Sequence, residues 1–70
     1  MRTVRDAGGR SWICLEMPVI PPEAIDRANG RDVVCIECNS GAERILALVQ
    51  PGWDDELTDE ALLAAIGAGR

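Results

Sequence analysis

Residues 33–49 read VVCIECNSGAERILALV: two apolar arms joined by Asn39-Ser40-Gly41-Ala42, and this stretch restricts the fold more than any other. Turn-forming residues between β-branched runs predict a β-hairpin. An antiparallel strand with one wet face alternates apolar and polar side chains. These arms do not. One face carries Val34, Ile36, Cys38, Ile45, Ala47 and Val49, and the other carries Val33, Cys35, Leu46 and Leu48, with Glu37 and Arg44 near the tip. A two-residue Ser40-Gly41 turn sets Cys38 against Glu43, Glu37 against Arg44, Ile36 against Ile45 and Cys35 against Leu46, a register supported by the Glu37–Arg44 charge pair.

Both faces therefore need cover, and a chain of 70 residues has little to offer. A domain this small buries only about 60% of the surface its unfolded chain exposes. Residues 3–17 predict a first hairpin around Ala7-Gly8-Gly9, with Asp6 facing Arg10 as an ion pair and Val4 facing Trp12. Ile13, Leu15 and Met17 form its expected core face, leaving Trp12, Cys14 and Glu16 on the other. In the connection 18–31, prolines at the start and Asn29-Gly30 at the end predict one or two helical turns anchored by Ile25 and Ala28. After Pro51-Gly52-Trp53 a helix is expected over about 58–67, with Thr58 as N-cap, Leu57 and Leu62 as a hydrophobic staple and Gly67 as the stop. Leu62, Leu63 and Ile66 would pack it on the sheet. The fold class is a small α+β domain: an antiparallel sheet of two hairpins, a helical turn between them and a C-terminal helix. The sheet either curls into a barrel-like sandwich or leaves part of one face for a partner.

Seven arginines, no lysine and twelve acids give a net charge of −5. Such a chain is repelled by phosphate backbones and anionic lipid, so no nucleic-acid partner is expected. Met1–Asp6 lacks the apolar segment of a secretory signal, and no run approaches the roughly 20 apolar residues of a membrane span. The expected location is the cytoplasm, including the cytoplasmic face of a membrane complex.

Cys14, Cys35 and Cys38 are the only sulfur ligands, and there is no histidine. A structural zinc site needs four ligands, so Glu16 or Glu37 would have to complete the set. In an extended strand Cys35 and Cys38 point to opposite faces with Cα atoms about 10 Å apart, beyond disulfide reach. All three are expected to be small buried hydrophobes, with no metal and no cofactor.

Catalysis would have to rest on carboxylate pairs such as Asp54 with Asp55, or Glu37 with Glu43, since no histidine-activated nucleophile can exist. Helix-entry charge and cross-strand pairing account for these acids more simply, and the chain is not expected to be an enzyme. Trp12 and Trp53 are the only aromatics. Tryptophan is common at interface hot spots, and Trp53 stands at a corner flanked by Pro51-Gly52 and Asp54-Asp55. Together with Val33, Cys35, Leu46 and Leu48, the two tryptophans are the candidate partner contacts.

Pro51-Gly52-Trp53 followed by Leu57-Thr58-Asp59-Glu60-Ala61-Leu62-Leu63 resembles the ending of small uncharacterised bacterial domains with two β-hairpins and a terminal helix. The resemblance covers about the last 20 residues closely and the hairpins loosely, and it implies no activity. The expected function is that of a non-catalytic structural subunit docking on other proteins of a larger assembly, or on a second copy of itself. A membrane-extrinsic accessory subunit of a bacterial photosynthetic reaction-centre and light-harvesting complex suits a chain without pigment ligands, and respiratory complexes are equally compatible. Two other readings remain: a zinc or thiol regulatory module using Cys14, Cys35 and Cys38, and a small acidic inhibitor of a basic partner.

Overall fold

In the computed structural model, which describes residues 1–70, four strands form one antiparallel sheet. They are β1 (Arg2–Arg5), β2 (Ser11–Glu16), β3 (Val34–Asn39) and β4 (Arg44–Val49), in the spatial order 1-2-3-4. Helix α1 (Pro22–Ala28) lies between β2 and β3, and the short α2 (Trp53–Glu56) and longer α3 (Asp59–Ala68) follow β4. The sheet does not close, so β1 and β4 remain its edges. No helix is long and apolar enough to cross a membrane.

The first hairpin has the expected register, with Val4 opposite Trp12. Gly9 takes φ +83° in the loop. The Asp6 carboxylate is used differently from expectation. Rather than pairing with Arg10 as an ion, it accepts the backbone N–H groups of Gly8 and Arg10 at 3.0 and 2.9 Å and the Trp12 indole N–H at 3.2 Å. Arg10 instead reaches Glu43 at 2.5 Å.

The expected core face of β2 is reversed. Trp12 and Cys14 are buried, whereas Ile13 and Leu15 are nearly half exposed at 46% and 47%. Both faces of β2 are apolar, so composition does not choose between them. Pairing does: Val4 is the only apolar residue within β1, and it meets Trp12, while Thr3 and Arg5 flank Ile13 and Ser11.

The second hairpin keeps its two faces but not its turn. Ser40–Glu43 forms a four-residue loop closed by Ser40 N–H to Glu43 C=O at 3.0 Å and by Glu43 N–H to the Ser40 hydroxyl at 3.1 Å, with Gly41 at φ +88°. Asn39 therefore opposes Arg44, and Glu37 opposes Leu46. Relative to the expected register this is a slip of two residues, which leaves each side chain on its own face. Arg44 then leans diagonally across the ladder to bond Glu37 at 2.7 Å, so the same ion pair satisfies either register.

The principal core lies on the face of Val34, Ile36, Cys38, Ile45, Ala47 and Val49. Val4, Trp12 and Cys14 extend it along the sheet, and Trp53, Leu62 and Ile66 cover it. Thr58 caps α3 as expected, accepting the Ala61 N–H at 3.1 Å, and Leu57 and Leu62 pack into this core. Gly67 does not stop α3. The helix runs through it to Ala68, and its ten residues make nearly three turns.

The opposite face has a smaller core of Ala24, Cys35 and Leu46, joined by Met17, Ile20 and Leu48. Helix α1 starts at its prolines and ends as Asn29 and Gly30 take left-handed φ values of +48° and +71°. Its buried anchors are Ala24 and Ala28. Ile25, expected as an anchor, is 54% exposed. Small side chains fit because α1 sits directly on Cys35 and Leu46, where a larger one at position 24 would hold the helix off the sheet.

Candidate functional site

Helix α1 roofs only the part of the second face that carries Cys35, Leu46 and Leu48. On the same face, β2 presents Ser11, Ile13 and Leu15 and β1 presents Thr3 and Arg5, all exposed. Ile13 and Leu15, two residues apart on an inner strand, form an apolar step about 7 Å long beside that roof. Val19 at 72% and Ile25 at 54% are also exposed, on the connection and on α1. This open half of the sheet is the one place where large apolar side chains stand uncovered on a strand.

None of the partner contacts named from the sequence belongs to it. Trp12, Trp53, Cys35 and Leu46 are buried at 1%, 2%, 1% and 9%, and Val33 and Leu48 are half-buried. Trp53 turns inward because its indole N–H has a partner there, the Glu16 carboxylate at 2.9 Å, while its ring closes the principal core. Arg2 fastens the same corner by donating to the Trp53 carbonyl at 2.9 Å and to Asp59 at 2.7 Å. At the other end of the sheet, Trp12 lies beneath two guanidiniums, Arg10 at 5.9 Å and Arg70 at 5.7 Å from its ring centroid. Both arginines also bond Glu43 at 2.5 Å. Bonds from Arg70 and then Arg10 hold the Glu43 carboxyl below the usual range. The indole bond from Trp12, followed by the Arg10 amide, does the same for Asp6.

The carboxylates considered as catalytic pairs are apart in role. Asp54 and Asp55 lie in the first turn of α2, Glu37 is held by Arg44, and Glu43 by Arg10 and Arg70. A cavity of about 190 Å³ opens at the β4 edge between the ends of α1 and α3, lined by Arg27, Arg31, Leu48, Ala65, Ala68 and Gly69. Its arginines are engaged with backbone. Arg31 donates to the Ala28 and Arg27 carbonyls at 3.1 and 2.7 Å, completing the end of α1, and Arg27 reaches the Leu46 carbonyl at 3.4 Å.

The three cysteines do not converge. Cys14 and Cys38 are cross-strand neighbours in the principal core, and Cys35 faces the other way into the smaller one. No group of three metal-ligating side chains is assembled anywhere. Burial pushes the Cys35 thiol up. Cys14 and Cys38 shift each other in opposite directions, the Cys14 thiol lowered by its neighbour and the Cys38 thiol raised by its neighbour and by burial.

Comparison with models of known protein families, with curated proteins and with solved structures found no match. The structure accounts for the residues of the chain's ending through the Thr58 cap and the packing of Leu57 and Leu62 in the principal core.

Sequence reasoning missed Ile13 and Leu15 as surface residues by assigning them to the core. The signal that finds them is the identity of the cross-strand neighbours: Thr3 and Glu37 flank the Ile13 and Leu15 positions, while Val4 and Cys38 flank Trp12 and Cys14.

Proposed function

We propose that the chain is a non-catalytic interaction module that docks on a larger protein assembly through the open half of its second sheet face. The observation that carries this reading is the exposure of Ile13 and Leu15 on an inner strand, beside a part of the same face that α1 already roofs. An inner strand cannot shed this apolar surface by moving to the edge, so cover must come from above the sheet. A partner surface laid there would extend the roof made by α1 and meet a mixed polar rim of Thr3, Arg5, Glu37 and Arg44. Removing the apolar area of two such side chains from water drives association without any directional bond.

The test compares the wild-type chain with Ile13→Ser/Leu15→Ser in its native cell, with Glu60→Gln on the exposed side of α3 as the control. The wild type and the control are expected to copurify with the same defined assembly, and the double variant is expected to stay folded by circular dichroism and lose it. A wild-type chain that runs as a stable monomer on dilution and brings down no assembly refutes the proposal. So does an assembly retained unchanged by the double variant.

A further inference from the structure

The pairing of β2 with β3 places Cys14 directly opposite Cys38. The kind of pair follows from the ladder. Met17 donates its N–H to the Cys35 carbonyl at 2.8 Å, which makes Met17 and Cys35 a hydrogen-bonded pair. Pairs alternate along an antiparallel ladder, so Cys14 and Cys38, three steps further on, form a non-hydrogen-bonded pair. At such a pair the Cα atoms approach to about 4.5 Å and the side chains lie closer together than at the alternate positions. A disulfide spans Cα separations of about 4.4–6.8 Å. The two thiols point to the same face, and both are wholly buried.

We infer that Cys14 and Cys38 are an oxidisable dithiol that a hydroperoxide converts into a disulfide stapling β2 to β3. This site is independent of the docking face, because both sulfurs lie in the principal core under α3. The chemistry balances with the peroxide as oxidant. The Cys14 sulfur attacks a peroxide oxygen, the S–O bond forms, the O–O bond breaks, and the leaving hydroxide takes a proton to become water. The Cys38 sulfur then displaces hydroxide from the Cys14 sulfenic acid, forming the S–S bond and a second water. Two thiols thus yield two electrons and two protons to one hydrogen peroxide. The attack is assigned to Cys14 because its thiol is the one held low, by the neighbouring Cys38 thiol first and by Arg2 to a lesser degree, and the disulfide formed is the same in either order. Burial makes the reaction proceed through brief local openings of the sheet, which sets its rate and leaves its end point unchanged.

Cys35 serves as an internal control, since it lies on the other face. The experiment treats the purified, reduced chain with hydrogen peroxide, quenches it, and alkylates free thiols under denaturing conditions for intact-mass and peptide analysis. In the wild type the number of alkylated cysteines is expected to fall from three to one in a monomer lighter by two hydrogens. In Cys35→Ala it should fall from two to none, with the peptide spanning 11–27 linked to that spanning 32–44. Three thiols persisting in the wild type overturns the inference. So does thiol loss that proceeds only through intermolecular links or sulfinic acid, or a link that forms equally in Cys14→Ala. The Cys35→Ala mapping stands even if Cys14→Ala does not fold.

Discussion

Two glycines near the end of α3 separate the worth of helix propensity from that of close packing. Gly69 has an ordinary φ of −80°, but a Cβ added there would lie 2.5 Å from the Leu46 carbonyl oxygen and 2.9 Å from Ile45 Cγ2. Backbone cannot rotate away as a side-chain tip can, so Gly69→Ala must lift the last turn of α3 off β4 by several tenths of an ångström. Overpacking of this kind costs about 1–3 kcal/mol, and because the affected turn is the last one the lower half of that range applies. For a domain of this size the loss corresponds to about 5–15 °C in Tm. Gly67 lies inside the same helix, and a Cβ added there would meet nothing within 4 Å, so Gly67→Ala removes only the entropy penalty of glycine. It should stabilise by about 0.5–1 kcal/mol. Thermal and urea unfolding followed by circular dichroism give both values. Tryptophan fluorescence gives a second readout, because the lifted turn draws Arg70 away from the Trp12 ring. If Gly69→Ala melts with the wild type, or if both variants lose stability equally, the close approach of α3 to β4 is not what holds that end of the helix.

Other expectations follow from the same contacts. Arg2→Ala should cost about 1–2 kcal/mol in urea unfolding, because the half-buried Trp53 carbonyl loses a charged donor. Asp59→Asn should cost below about 1 kcal/mol, since that carboxylate is mostly exposed. Asp6 and Glu43 have carboxyls held low in the fold, so the stability they contribute is present above their unfolded values of about 4 and is lost as pH falls through the lower folded ones. Thermal midpoints should therefore drop in acid, and less steeply in Asp6→Asn, where the indole bond no longer depends on a charge. Oxidation of Cys14 and Cys38 closes a loop of roughly 25 residues, which in the chain-entropy account stabilises by about 3–4 kcal/mol. Urea midpoints of the oxidised and reduced forms measure it.

The elements were legible where local chemistry has one solution. The Thr58 cap, the proline entry and Asn29-Gly30 exit of α1, and the Val4–Trp12 register each follow from residues a few positions apart. The two faces of the second hairpin were legible for the same reason, since alternation is insensitive to a slip of two. Its turn was not, because Arg44 is long enough to bond Glu37 from either register. The buried face of β2 was hidden by its apolar residues on both sides, and with it the exposed Ile13 and Leu15. Trp53 was misplaced because its corner position is apparent locally, whereas the Glu16 carboxylate that receives its indole lies 37 residues away in the chain.

The linear strand order has a kinetic consequence. Every strand pairs with its sequence neighbours, so both hairpins can close early and locally, on the microsecond scale of isolated hairpins. The junction between β2 and β3 differs: residues 17–33, which include α1, must be ordered to bring those strands together. Joining the two hairpins is therefore the expected barrier to folding, and Cys14 and Cys38 face each other across that seam.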